Sequence, residues 1–217
     1  MIPTSQYLRY LRVTVTAKSD GYPDSVLTSA AVRVTGTATP TAPRSVKGLA
    51  GDKSVLVSWT GPVDNGGAAI NYYKVTATPK VGSATRSCTT ATNSGALSCQ
   101  VTGLAAGVAY RFTVKAHNSV GFGAASSQSA PVTPIGITWT KSGRVMTAKF
   151  KPVAGATKYA ETSTGATKAS GVCKVTGSGA ARLVTCVITL KAGKSTLTVS
   201  AVKTKAVVAK ATRVQAA

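Results

Sequence analysis

Acidic residues are nearly missing from this chain. Its 217 residues include five, Asp20, Asp24, Asp52, Asp64 and Glu161, against 26 lysines and arginines. Paired-carboxylate chemistry needs two acids converging on one site, and five acids scattered over three segments offer no such pair. Imidazole is scarcer: His117 stands alone, on the outward parity of its predicted strand. A triad or Cys–His dyad would need a free cysteine or an activated serine beside it. P-loop, GxGxxG and HExxH patterns are absent, so no catalytic residue, cofactor or resident metal is expected, and the chain reads as a non-enzyme. The turn Asp64-Asn65-Gly66-Gly67 supplies one carboxylate and one amide oxygen, where calcium takes about six to eight oxygens. A β-turn explains it better. No apolar run reaches the roughly 18 residues of a membrane-spanning helix.

What the chain does have is alternation. Tyr110, Phe112, Val114 and Ala116 alternate with Arg111, Thr113, Lys115 and His117, the period of two of a half-buried strand. Val55, Val57 and Trp59 share one face of an earlier strand, and Ile70, Tyr73 and Val75 point inward in the next. Leu104 precedes Tyr110 across an Ala-Ala-Gly turn, which suits a corner in which the tyrosine hydroxyl bonds back to the entering chain. Taken in order, these elements resemble a fibronectin type III domain over Pro40 to Pro134. The resemblance implies an antiparallel β-sandwich and leaves activity open, because such folds host unrelated roles.

Residues 135–217 repeat this plan, with Phe150 at the place of Trp59, Tyr159 near that of Tyr73, and Cys186, Leu190 and Gly193 matching Cys99, Leu104 and Gly107. They resemble a divergent fibronectin type III-like domain without the tyrosine corner, since Ser195 or Thr196 falls at the place of Tyr110. Residues 1–39 predict two strands, Leu8 to Ala17 and Val26 to Val34, joined by the turn residues Asp20, Gly21, Pro23 and Asp24. They are similar to the closing hairpin of a bacterial immunoglobulin-like surface repeat. A lone hairpin is marginal in water, so either the chain begins within a domain or the hairpin docks on the next one. Short proline-containing linkers, Thr37 to Ala42 and Pro131 to Pro134, separate the parts. The expected fold is all-β, with a hairpin over 1–39 and tandem antiparallel sandwiches of fibronectin type III or immunoglobulin-like type over 40–134 and 135–217.

Four cysteines, Cys88, Cys99, Cys173 and Cys186, fall as one pair in each sandwich, without zinc-ligand spacing. Four cysteines allow three pairings, and the domain boundary favours 88–99 and 173–186. Each bridge would close a loop worth up to about 3 kcal/mol in the chain-entropy model. Buried free thiols in a cytosolic protein are the other reading. Paired cysteines point to an oxidising compartment, hence secretion or a cell surface. The first residues hold no signal-peptide pattern, which fits a chain incomplete at its front.

The charge is lopsided along the chain as well as in sign. Residues 1–40 carry +2, residues 41–134 carry +6 and residues 135–217 carry +13 of the net +21. Lysines on edge strands deter aggregation, but solubility alone is served by mixed signs, and a one-sided field favours polyanions. The candidate polyanion contacts are Lys149, Lys151, Lys191, Lys194, Lys203, Lys205 and Lys210. Lysine outnumbers arginine, aromatics are 6%, and no recognition helix is visible, which disfavours specific nucleic-acid binding. An anionic cell-wall polymer, acidic polysaccharide or anionic lipid fits better as a partner, with neighbouring domains of a longer chain. Tyr72, on the parity opposite Tyr73, and Phe122 form a candidate sugar-stacking platform. The expected role is a non-catalytic extracellular spacer or adhesion module of a bacterial surface protein. The alternatives are an accessory module of a secreted polysaccharide-degrading enzyme with its catalytic domain upstream, and a phage virion decoration domain.

Overall fold

The computed structural model describes residues 10–20, 22–33, 36–82, 84–165, 170–189, 195–203 and 206–215. All their extended elements are β-strands. The first part is a ribbon of β1 (Tyr10–Leu11), β2 (Thr14–Ser19), β3 (Tyr22–Thr28) and β4 (Val32–Arg33), with β2 paired to β3 and β1 to β4. Strand β3 starts at Tyr22, so Pro23 and Asp24 lie within it and the turn is tighter than the turn residues predict. A proline is tolerated there because a two-stranded ribbon is all edge. Val13, Val15, Val26 and Leu27 remain 59–76% exposed, so these apolar side chains are not docked on the neighbouring sandwich.

The middle sandwich contains β5 (Arg44–Gly51), β6 (Ser54–Thr60), β7 (Tyr72–Pro79), β8 (Arg86–Thr89), β9 (Ser98–Thr102) and β10 (Tyr110–His117). One sheet runs β5-β6-β9 and the other β10-β7-β8. The alternation read from the sequence becomes the core: Val55, Val57 and Trp59 face Tyr73, Val75 and Ala77, with Phe112, Val114 and Ala116 beside them. After β10 the chain continues irregularly along the same strand. The Ser129 and Ser126 hydroxyls accept from the backbone N–H groups of Phe112 and Val114, at 3.1 and 3.0 Å. Side-chain oxygens thus take the place of ladder carbonyls.

The tyrosine corner is present. Ala105 N–H donates to the Tyr110 hydroxyl at 3.1 Å, and Tyr110 is buried. Tyr110→Phe leaves that N–H without its acceptor, and urea denaturation should show a loss of about 1–3 kcal/mol. A variant as stable as the parent would mean that this bond carries no net stability.

The last sandwich comprises β11 (Thr138–Ser142), β12 (Val145–Phe150), β13 (Lys158–Gly165), β14 (Ser170–Thr176), β15 (Leu183–Thr189), β16 (Ser195–Lys203) and β17 (Ala206–Gln215). Phe150 meets Tyr159 edge-on at 5.7 Å, the counterpart of the Trp59–Tyr73 contact at 5.2 Å. Strand placement differs between the two sandwiches. In the middle one, β8 pairs with β7, whereas in the last, β14 pairs with β15 and completes a four-stranded sheet β11-β12-β15-β14 opposite β13-β16-β17. Four strands against three is the immunoglobulin constant-type division. Leu190 and Gly193, matched above to the middle corner, lie outside the described residues.

Neither proline-containing segment is a free tether. Ala38 and Thr41 donate to the carbonyls of Gly66 and Asp64, and Pro40 is buried. A side chain at Gly123 would collide with the Pro40 carbonyl, which explains a glycine there. Val132 exchanges two 2.9 Å hydrogen bonds with Tyr110, and Ile135 N–H donates to Gly51 O. A parallel bridge between Ala50 and Ala209 then joins the β17 edge to the β5 edge. Ala50, Ala201 and Ala209 form a small core there, flanked by Val132, Ile135 and Tyr159. Small residues permit that close approach.

Candidate anion-contact surfaces

Carboxylates do little to offset the positive field. Asp64 Oδ1 accepts from Gly66 N–H at 2.8 Å, Asn65 Oδ1 from Gly67 N–H at 3.0 Å, and Asp52 Oδ1 from Ile137 N–H at 2.9 Å. The Asp64–Gly67 oxygens thus serve their own turn, and Asp52 serves the junction between sandwiches. Glu161 is the register partner of buried Val199 and so points to the inner side of its sheet, with its Oε2 3.4 Å from the Cys173 sulfur. Among the described residues the one ion pair is Lys18–Asp24, at 3.8 Å on the exposed ribbon.

Of the lysines singled out from sequence, Lys191, Lys194 and Lys205 lie outside the described residues, and only the backbone of Lys203 is described. Lys149, Lys151 and Lys210 are exposed, but they do not form one patch. Lys149 lies between inward Ala148 and Phe150, and Lys210 between inward Ala209 and Ala211, so the two stand on the outer faces of opposite sheets. Lys151 follows β12 and lines a cleft of about 640 Å³ between the sandwiches, beside Pro134, Ile135 and Val153. Lys174 is an addition that only the register reveals. Thr185 pairs with Lys149 on one side and Lys174 on the other, which puts both lysines on one outer face about 10 Å apart.

The candidate platform residues Tyr72 and Phe122 do meet, and His117 joins them. Tyr72 and His117 are cross-strand partners stacked at 4.5 Å and 13°. Phe122 stands edge-on to both, at 5.6 and 4.7 Å. Among the described residues the buried His117 Nδ1 has no hydrogen-bond partner. The next outward pair along the same strands is Lys74 and Lys115. Asn118 sets the ledge: its side-chain NH₂ donates to Ala38 O and Asn65 O, and its Oδ1 accepts from Val120 and Gly121 N–H.

Each disulfide lies within one sandwich, the first in the middle one and the second in the last. Cys88–Cys99 joins β8 to β9, one from each sheet, with Cα atoms 6.3 Å apart. Cys173–Cys186 joins register partners on neighbouring strands, with Cα atoms 4.0 Å apart. Such bridges point to an oxidising, extracellular environment. Among the described residues no helix is long and apolar enough to cross a membrane, and no cluster of three or more His, Cys, Asp or Glu side chains could hold a metal.

Two antiparallel sheets with a buried strand tryptophan and a tyrosine corner define the middle unit as a sandwich of the immunoglobulin-like class. Residues 41–133 match the family model of the fibronectin type III domain, and they form a fibronectin type III domain. No curated protein matches the chain. Among solved structures it is similar to domains A168-A170 from titin, at 25% identity, 56% of this chain, 40% of that chain and a TM-score of 0.41. It is also similar to the FN5 domain of Drosophila Lar, at 24% identity, 44% of this chain, 97% of that one and a TM-score of 0.36. The twitchin kinase region from C. elegans matches at 28% identity over 45% of this chain and 17% of its own, with a TM-score of 0.38.

Proposed function

We propose that the chain is a non-catalytic extracellular spacer or adhesion module of a bacterial surface or secreted protein. Residues 135–217 then give it a weak affinity for anionic cell-wall polymer. Fibronectin type III domains are typically non-catalytic modules, and the laced junction between the sandwiches suits a stiff spacer. The observation that carries the polymer affinity is the distribution of charge. Fourteen basic residues face one acid in 135–217, and that acid is turned inward. Because Lys149 and Lys210 stand on opposite outer faces, the attraction is a diffuse field and not a shaped pocket. Exposed ammonium groups are screened within about 8 Å at physiological ionic strength.

Retention of the full chain on immobilised teichoic acid in a salt gradient tests this reading. Elution is expected at moderate salt, and earlier still for Lys149→Gln/Lys151→Gln/Lys210→Gln than for Lys18→Gln/Lys47→Gln/Lys80→Gln. Equal shifts for the two triple variants would remove the special role of the last sandwich. Retention in about 1 M salt, where the screening length falls to about 3 Å, would show that charge is not what holds the polymer.

A further inference from the structure

The outward face of the β8–β7–β10 sheet carries an arrangement that folding does not call for. Lys74 and Lys115 are direct cross-strand partners, and both are exposed. Among the described residues no carboxylate pairs with either, since the one ion pair is Lys18–Asp24. Like charges directly opposite on antiparallel strands are destabilising, so the free protein bears a local repulsion that a bound anion would relieve. One pair further along lies the aromatic ledge of Tyr72, His117 and Phe122, whose Phe122 is 41% exposed. Beside the ledge, on the β8 side of Lys74, is a hollow of about 400 Å³ lined by Tyr72, Lys74 and Phe122 together with Thr89 and Thr92, with Lys115 next to Lys74 on the β10 side. That volume falls at the small end of ligand sites, about 300–1,000 Å³.

We infer that this hollow binds a uronic acid residue of an acidic polysaccharide. The apolar face of the sugar ring lies against Phe122 and Tyr72, the ring hydroxyls meet Thr89 and Thr92, and the carboxylate sits at the Lys74 ammonium group, with the Lys115 charge alongside. A neutral sugar would use the ledge and leave the lysine repulsion in place. A nucleic-acid strand would need successive stacking surfaces along a basic groove. Here there is one ledge, and the next outward pair beyond the lysines is Thr76 and Thr113. The site lies on the middle sandwich and does not depend on the lysines of residues 135–217.

Titration of the isotope-labelled full chain with tetragalacturonate, with its methyl ester and with a short oligothymidylate tests the inference. The uronate should shift the amides of residues 72–74, 89 and 115–122 saturably. Its methyl ester should bind about tenfold more weakly, the scale of one charge-assisted contact. Phe122→Ala should cost about tenfold by loss of stacking, and Lys74→Gln a similar factor by loss of a charge-assisted contact. Lys115→Gln should weaken binding while leaving the free protein at least as heat-stable as the parent, which a merely structural residue would not do. The triple variant Lys149→Gln/Lys151→Gln/Lys210→Gln should leave this affinity within about twofold, as expected for distant independent sites. Unchanged affinity in both Lys74→Gln and Phe122→Ala, equal binding of acid and ester, or tighter competing binding of the oligonucleotide would each overturn the inference.

Discussion

Trp59→Ala should destabilise the middle sandwich by about 3–5 kcal/mol, the range for truncating a buried aromatic. Trp59 is 6% exposed, sits at the end of β6 and packs on Tyr73 at 5.2 Å. Burial also raises the Tyr73 hydroxyl above its ordinary pKa by desolvation. Among the described residues the buried indole Nε1 has no hydrogen-bond partner, so the loss comes from apolar burial and not from a hydrogen bond within them. Trp59→Phe should therefore cost far less than Trp59→Ala, because it keeps a ring against Tyr73 and removes an unpaired donor. The last sandwich already uses that pairing, Phe150 against Tyr159. Urea denaturation followed by circular dichroism measures both variants, and in each the remaining indole, Trp139 on β11, reports on the last sandwich. A Trp59→Ala loss below about 1 kcal/mol would be out of line with a core aromatic.

The middle strands were legible because each buries one face, and burial writes a period of two into the residues. Val55, Val57 and Trp59 needed nothing else. The tyrosine corner was legible for a local reason: its donor, Ala105, lies five residues before Tyr110 in the chain. The position of β14 was not legible. An edge strand with the same pattern can join either sheet, and the choice beside β15 is made by tertiary pairing. Prolines at 37–42 and 131–134 suggested linkers, but a break in regular structure is not a tether, and both segments pair with distant backbone. The facing lysines, Lys74 with Lys115, and the lysines flanking Thr185 emerge only once register is known. Tyr72 and Phe122 were visible as candidates, whereas their meeting with His117 depends on how the turn after β10 is held.

That turn is where a single polar side chain should matter most. Asn118→Ala should destabilise the protein by about 3 kcal/mol or more, because buried polar groups left unpaired cost about 1–3 kcal/mol each. Asn118 is fully buried and makes four hydrogen bonds, at 2.6 and 2.8 Å to Ala38 O and Asn65 O and at 2.9 and 3.2 Å from Val120 and Gly121 N–H. It thereby joins three separate segments: the entry near Pro40, the turn after β6 and the turn that carries Phe122. Asn118→Asp separates the two halves of this set. A carboxylate still accepts from Val120 and Gly121 but cannot donate to Ala38 or Asn65, and it is a buried charge. Burial raises the folded-state pKa of such a carboxyl above its unfolded value of about 3.9. The protonated form is then the favoured one in the fold, so the deficit of Asn118→Asp should shrink as pH falls through the folded pKa. Asn118→Ala has no proton to gain and should show no such recovery relative to the parent. Thermal melts of parent and both variants at pH 7 and at about pH 4, near that unfolded value, measure the difference. Parallel pH trends in the two variants would mean that the donors to Ala38 and Asn65 are not what holds this junction. The same melts repeated with saturating tetragalacturonate should show a smaller ligand-induced rise for Asn118→Ala than for the parent, because releasing the turn displaces Phe122 from Tyr72 and His117.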